Sequence, residues 1–235
     1  MYKRQSWIGY ENNLTGFDCW LHGHDSSGNE VDHFRLDDYE TDGVTDLLID
    51  YLEGKSTKAR TPQEKEETDS ADPEPFFAAL SVIPPHNPFI APAEWMERHT
   101  PGTIELRPNV PPDEHIRQQA ARQLAGYYAM IENLDHNLGR LREALDRLGL
   151  YENTIILFFS DHGDMMGSHG QMRKTSVYQE SLNIPFVVGG GVPFYDSDGL
   201  VKPQVLNHPI NHVDIAATSL GLCGIEPPSE MEGFN

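Results

Sequence analysis

The amino-acid sequence predicts an α/β fold in which helices cover both faces of a central, mostly parallel sheet. Short, bulky apolar runs, of which residues 154–159 are the clearest, have the length and composition of strands buried on both faces. These runs alternate with helical patterns, the longest of which spans residues 113–148. Strands and helices in alternation are typical of a layered α/β domain.

The first part of the chain predicts short strands and one helix. Residues 7–42 are rich in Gly, Asp, Asn and His and have little periodicity, which is typical of loops with short strands. A helix with an apolar stripe over residues 44–52 follows, and Thr41 or Thr45 is its expected N-cap. Residues 55–75 contain no large apolar residue, which predicts a solvated connection within the domain.

The rest of the chain predicts a further strand and two helices. Residues 76–82 predict a buried strand that leads into the Pro-rich segment 84–88. Apolar residues spaced three and four apart give residues 113–148 one apolar face, which favours packing on the sheet over a coiled coil. A last helix is predicted over residues 213–222, with Asn211 as its N-cap.

The composition excludes two classes of partner. The 235 residues carry a formal net charge of −20, whereas binding to nucleic acid needs clustered Lys and Arg. No apolar run approaches the roughly 20 residues of a membrane-spanning helix. The two cysteines are distant in sequence and indicate neither a disulfide framework nor a zinc site. We therefore expect no nucleic acid and no membrane as a partner, while the oligomeric state and the compartment stay open.

The segment Ser160-Asp161-His162-Gly163-Asp164 directly follows the apolar run at residues 154–159. Ligands of parallel α/β sheets gather at the carboxyl ends of the strands, where a carboxylate and an imidazole can bind a divalent ion. Asp164 would add a second carboxylate. The residues alone leave open a polar turn, in which Asp161 accepts main-chain hydrogen bonds.

Two further polar residues are candidates for a site. Lys174 follows a Gly-containing loop and can bind an anion, although most lysines only face the solvent. His86 follows two prolines that present it stiffly, although a single loop histidine usually has no functional role. For Lys174 and His86 considered one at a time, a role in a site and no functional role therefore both stay open.

Together, five segments resemble the sulfatase family of the alkaline phosphatase-like superfamily, and they follow the family's order. Residues 160–170 resemble its metal-binding strand end, and Lys174 with residues 178–185 is similar to its sulfate-binding segment. The other three are residues 76–89, similar to the strand that delivers an active-site histidine, residues 127–141, similar to its long helix, and residues 212–225, similar to the end of its catalytic domain. The resemblance implies an alkaline phosphatase-like layered fold.

The resemblance implies a sulfuric ester hydrolase that acts on an aryl or carbohydrate sulfate, in a small molecule or a glycan. Asp161 and His162 would be the metal ligands, for Ca²⁺ or alternatively for Mg²⁺ or Mn²⁺. Lys174 would be a catalytic residue that contacts the sulfate oxygens. His86 would be a second one, which hydrogen-bonds the leaving oxygen or the sulfate.

The family's nucleophile motif is missing from the sequence. This nucleophile is a formylglycine made from Cys or Ser in a Cys/Ser-x-Pro-x-Arg motif, and neither Cys19 nor Cys223 lies in one. The paired aspartates of the family's first strand are absent as well. We therefore expect residues 1–235 to be a partial sulfatase catalytic domain, incomplete at both ends and inactive alone, with the formylglycine in a missing N-terminal segment. The alternatives are a phosphodiesterase or phosphonate monoester hydrolase of the same superfamily, and a non-catalytic truncated relative.

Overall fold

The computed structural model describes residues 6–10, 16–25, 27–54, 75–196 and 199–234, and the chain divides into two compact units. The first unit consists of Met1–Leu150 and Asp164–Ser176, and the second of Tyr151–Gly163 and Val177–Asn235. The solvated connection predicted at residues 55–75 lies, except for its last residue, outside the described residues. None of the described helices is both long and apolar enough to cross a membrane.

The first unit begins with an antiparallel sheet of three strands, in the order β1 (Trp7–Gly9), β2 (Trp20–His24) and β3 (Glu30–Arg35). Side chains alternate between the two faces of a strand, so Leu21 is buried while the flanking Trp20 is exposed. The core at this sheet consists of Cys19, Leu21, Leu36 and Val44, with Phe34, Leu47 and Val82 packed against it. The prediction of short strands in this region is confirmed.

Helix α1 (Glu40–Glu53) begins after Tyr39. The prediction that Thr41 or Thr45 caps it is wrong, because both threonines lie inside the helix and are buried. Tyr39 makes no side-chain capping bond, and the amide of Glu40 donates instead to the carbonyl oxygen of Gly16 at 2.6 Å. A main-chain acceptor from another segment therefore satisfies an amide that would otherwise need a cap.

Helix α3 (Glu114–Leu148) confirms the predicted long helix. The side chain of Asp113 caps its first turn, and Gly149 ends it in the left-handed conformation at a φ of 70°. Within the first unit, α3 packs against α1 and against two short helices, α2 (Ala93–Met96) and the 3₁₀ turn Pro101–Thr103. Within this unit, the main contacts of α3 are therefore with helices, whereas the sequence predicted packing on the sheet.

The segment that leads to His86 is extended but is not a strand. Residues 75–83 pair with no strand in the described part of the chain, and Phe77 is 81 % exposed. The prediction of a buried strand over residues 76–82 is therefore wrong. A strand needs a neighbour for its main-chain N–H and C=O groups. Here the amide of Ile83 donates instead to a side chain, the carboxylate of Glu40, at 2.9 Å.

The second unit contains a sheet of two antiparallel strands, β4 (Ile155–Phe159) and β5 (Phe186–Gly190). Every strand pair in the described residues is antiparallel, so the predicted mostly parallel pairing is corrected for these strands. Parallel strands need a crossover, usually a helix, whereas the connection from β4 to β5 contains only the 3₁₀ turn Ser168–Gly170 and the four-residue helix α4 (Gln179–Leu182). Phe158 and Phe159 are 36 % and 42 % exposed, because two strands alone leave much of their surface uncovered.

The second unit ends with a short hairpin and a helix. Strands β6 (Tyr195–Asp196) and β7 (Gly199–Leu200) precede α5 (His212–Leu222), which confirms the predicted last helix. Asn211 is its N-cap, as expected, and forms a capping box with Asp214, whose Oδ2 accepts the Asn211 amide at 2.7 Å. Helices and sheets together confirm the α/β class.

Candidate active site

Asp161 and His162 lie side by side in the turn after β4, in the second unit. The Nδ1 atom of His162 is 2.7 Å from the carbonyl oxygen of Gly163, and its Nε2 atom is 3.2 Å from Asp161 Oδ2. A carbonyl oxygen can only accept, so Nδ1 carries the hydrogen of the neutral ring. Nε2 is then left with a lone pair that lies beside a carboxylate oxygen.

The spacing of this pair suits two neighbouring ligands of one divalent cation, a hard carboxylate oxygen and a softer imidazole nitrogen. Two ligands about 2.3 Å from a Ca²⁺ ion and at right angles to each other lie about 3.3 Å apart. Asp161 Oδ2 and His162 Nε2 are 3.2 Å apart, and the Asp161 side chain is 84 % exposed. The described residues contain no group of three or more His, Cys, Asp or Glu side chains that could hold a metal ion. Because Ca²⁺ takes six to eight ligands, the pair would supply only part of a coordination shell.

The neighbours of the pair fix its position within the second unit. Ser160 Oγ donates to the carbonyl oxygen of His162 at 3.2 Å, and His212 Nε2 is 3.1 Å from the carbonyl oxygen of Ser160. The amide of Gly163 donates to the carbonyl oxygen of Ser181 at 2.8 Å. A Cβ atom on Gly163 would lie 2.1 Å from the carbonyl oxygen of Glu180, so only glycine fits at this position.

Asp164 organises a loop of the first unit. Its Oδ1 atom accepts the amides of Met166 at 3.0 Å and of Arg173 at 3.1 Å. The polar turn that the sequence left open, in which Asp161 accepts main-chain hydrogen bonds, is therefore present as well: Asp161 Oδ1 accepts the amide of His162 at 3.0 Å, and Asp164 accepts two amides in the same way. Arg107 adds contacts from its guanidinium to the carbonyl oxygens of Asp164 and Met165, at 3.5 and 3.4 Å.

Lys174 lies in this same loop, residues 164–176, between two residues with unusual main-chain conformation. Arg173 and Thr175 have φ values of 72° and 78°, in the left-handed region that non-glycine residues seldom adopt. Each such residue costs on the order of 1–3 kcal/mol and persists only where the surroundings hold it. Two hydrogen bonds hold Arg173: its carbonyl oxygen accepts the amide of Met165 at 2.9 Å, and its amide donates to Asp164 Oδ1 at 3.1 Å. Lys174 is half-buried, and no described residue forms an ion pair with its ammonium group.

His86 also belongs to the first unit, and its ring contacts the carbonyl oxygen of the next residue, as the ring of His162 does. Its Nδ1 atom is 2.8 Å from the carbonyl oxygen of Asn87, which leaves Nε2 available. The ring is half-buried and lines a small pocket with Tyr39, Glu40 and Met130. The loop of His86 lies beside the loop of Lys174, since the guanidinium carbon of Arg173 is 5.1 Å from the centre of the Phe89 ring.

The structure thus puts two of the predicted residues in contact and places the loops of the other two side by side. Asp161 and His162 are adjacent in the second unit, and the loops of Lys174 and His86 meet in the first unit. Sequence reasoning missed Glu40, which is buried beside His86. The only sequence signal was an acidic residue at the start of a helix, which is usually a solvated position.

A family model described as Sulfatase matches residues 1–225. The ulvan-active sulfatase of Formosa agariphila is 36 % identical over 170 residues, which cover 71 % of this chain and 32 % of that protein. The endo-4-O-sulfatase of Bacteroides thetaiotaomicron is 30 % identical over 257 residues, which cover 99 % of this chain and 46 % of that protein. The chain therefore spans less than half the length of these two relatives.

Solved structures share the fold. A Bacteroides thetaiotaomicron structure from a study of glycosaminoglycan metabolism superposes with a TM-score of 0.77 at 26 % identity, over 100 % of this chain and 46 % of that chain. A phosphonate monoester hydrolase from Silicibacter pomeroyi gives a TM-score of 0.61 at 22 % identity, over 89 % of this chain and 44 % of that chain, and this likeness concerns the fold alone. The predicted alkaline phosphatase-like α/β fold is confirmed.

Proposed function

Because the chain belongs to the sulfatase family, we propose that the full-length protein hydrolyses sulfate esters, with a sulfated carbohydrate as its substrate. The observation that carries this proposal is the family match over residues 1–225, because it includes every candidate site residue. The names of the two curated relatives, an ulvan-active sulfatase and an endo-4-O-sulfatase, support a carbohydrate rather than an aryl group as the carrier of the sulfate.

We assign the metal ligands of the active protein to Asp161 and His162, with Ca²⁺ as the expected ion. A bound cation supplies positive charge that holds and polarises the sulfate oxygens. The support is the 3.2 Å separation of Asp161 Oδ2 and His162 Nε2 and the Nδ1 contact that keeps Nε2 available. The remaining ligands would come from residues other than this pair.

The other two residues act on the ester itself. The ammonium group of Lys174 binds the sulfate oxygens and stabilises the negative charge that develops on them during cleavage. His86 binds at the leaving oxygen, and its Nε2 atom donates a hydrogen bond or a proton there when the ring is charged. The nucleophile of the family is a formylglycine, and neither Cys19 nor Cys223 lies in the motif from which it is made, so we assign the nucleophile to neither cysteine.

The test is a substrate panel with the full-length protein. The panel contains ulvan, sulfated glycosaminoglycans, 4-nitrophenyl sulfate and a phenyl phosphonate monoester, and inorganic sulfate and released phenol are quantified. We expect sulfate release from at least one sulfated polysaccharide and the lowest rate with the phosphonate. Turnover of the phosphonate without any sulfate release would favour the phosphonate hydrolase alternative, and binding of polysaccharide without any turnover would favour a non-catalytic protein.

A further inference from the structure

Glu40 is a buried carboxylate that the proposed chemistry does not use. It is 1 % exposed and lies in the first turn of α1. Its Oε1 atom accepts two hydrogen bonds, from the hydroxyl of Tyr10 at 2.6 Å and from the amide of Ile83 at 2.9 Å. No described Lys or Arg forms an ion pair with it, and burial raises the pKa of its carboxyl. Burying such a group is costly, and its two hydrogen bonds offset part of that cost.

The segment that Glu40 holds is the loop of His86. Ile83 donates its amide to Glu40, and its carbonyl oxygen accepts the amide of His86 at 3.0 Å. Between residues 83 and 88 three positions are proline and have no N–H group, so few main-chain donors are available to fix the loop. Glu40, Ile83 and His86 also line the same small pocket. The described contacts therefore run from Glu40 through Ile83 to His86 without a gap.

We propose that Glu40 is a positioning residue for His86. Its carboxylate fixes the amide of Ile83, and through it the turn that aims the His86 imidazole. This inference rests on the proposed function, because His86 acts at the leaving oxygen there. The carboxylate matters because alanine at position 40 removes the acceptor that the Ile83 amide and the Tyr10 hydroxyl share, and leaves these two groups only their contact with each other.

The kinetic test uses the full-length protein and a series of aryl sulfates whose phenols differ in acidity. Glu40→Ala is expected to lower kcat about 10- to 100-fold for the least acidic phenol, with KM within about twofold, because a displacement of about 1 Å can cost about 100-fold. The loss is expected to shrink as the phenol becomes more acidic, because a good leaving group needs less help from His86.

Two variants serve as comparisons. Glu40→Gln is expected to restore kcat to within about threefold of the wild type, because its amide oxygen can accept the same two hydrogen bonds. Asp38→Ala removes an exposed carboxylate two residues away and is expected to leave all rates unchanged. If Glu40→Ala does not fold, Glu40→Asp replaces it: this carboxylate is one methylene shorter, and the same leaving-group-dependent loss is expected.

A second measurement needs no substrate. Amide hydrogen exchange at Ile83 is expected to accelerate at least about tenfold in Glu40→Ala, or in Glu40→Asp if that variant is used, and to stay slow in Glu40→Gln and Asp38→Ala. Unchanged exchange at Ile83 would overturn the inference. An equal loss of kcat for all phenols, or full activity despite fast exchange, would also overturn it, since Glu40 would then have a structural role only. Wild-type protein that releases no sulfate from either the aryl sulfates or a sulfated polysaccharide would instead contradict the proposed function, while the exchange result would still decide whether Glu40 holds the loop.

Discussion

Replacing Gly163 by alanine tests how the turn with the candidate metal ligands is held. The added Cβ atom would lie 2.1 Å from the carbonyl oxygen of Glu180, whereas ordinary contacts begin at 3.4 Å, so the two groups must separate by about 1.3 Å. This movement would break the 2.8 Å hydrogen bond from the Gly163 amide to the carbonyl oxygen of Ser181.

The cost combines two effects. Forcing an extra carbon into a packed site costs about 1–3 kcal/mol, and a buried main-chain group that loses its partner costs about 1–3 kcal/mol more. We therefore expect Gly163→Ala to lower the free energy of unfolding by at least about 2 kcal/mol, which lowers Tm by about 4 °C or more for an unfolding unit of about 150–250 residues and by less for a larger one. Ca²⁺ binding is expected to weaken as well, because the Gly163 carbonyl oxygen holds the His162 ring.

The assay is thermal unfolding of the full-length protein, followed by calorimetric titration with Ca²⁺. Gly189→Ala is the matched control: it lies in β5 of the same unit and its added Cβ would meet no atom within 4 Å. If the two variants melt at the same temperature and bind Ca²⁺ equally, the close approach between Gly163 and Glu180 does not hold the turn, and the reasoning is wrong.

Three further predictions concern single residues. Lys174→Ala is expected to lower kcat/KM for a sulfate ester at least about 100-fold in steady-state kinetics, since losing one charge-stabilising group costs ~3 kcal/mol at the transition state. Lys202→Ala is the control, and near-wild-type rates for Lys174→Ala would show that Lys174 is not part of the site. Asp161→Asn is expected to abolish the rise in Tm that Ca²⁺ produces, because an ion that binds only the folded state stabilises it by RT ln(1 + [L]/Kd); an undiminished rise would contradict the assignment. Hydrogen bonds from the amides of Phe234 and Asn211 lower the pKa of Asp214, so its contribution to stability is present above the ordinary Asp pKa and is lost as the pH falls through the lowered value. The gap in unfolding stability between wild type and Asp214→Ala should therefore be wider at pH 7 than in strong acid, and a gap independent of pH would contradict this.

Helices α3 and α5 could be predicted from the sequence. Asp113 and Gly149 mark the ends of α3 by local chemistry, as Asn211 does for the start of α5, and local signals of this kind are readable without knowledge of the fold. Residues 76–82 were misjudged because an apolar run cannot reveal whether a partner strand lies alongside it. The direction in which β4 pairs with β5 was predicted wrongly because an apolar run does not show whether its partner strand is parallel or antiparallel.

In the candidate site, too, contacts between neighbours in sequence could be predicted and contacts between distant residues could not. The motif around Asp161 and His162 predicted that a carboxylate and an imidazole occur together, and adjacency in sequence made their contact a short-range property. The contact between the loops of Lys174 and His86 and the burial of Glu40 depend on residues far apart in the chain. No pattern in one sequence encodes those distances.

The central claim is that the full-length protein is a metal-dependent sulfatase, and the most direct measurement is inorganic sulfate released from a sulfated polysaccharide over time. The protein would be assayed as purified, after removal of divalent ions with a chelator, and after addition of Ca²⁺ in excess. We predict steady sulfate release, its loss on chelation and its recovery with Ca²⁺, with no recovery in Asp161→Asn. Sulfate release that is unaffected by chelation, or recovers equally in Asp161→Asn, would contradict the role of Asp161, and no release under any condition would contradict the proposed activity.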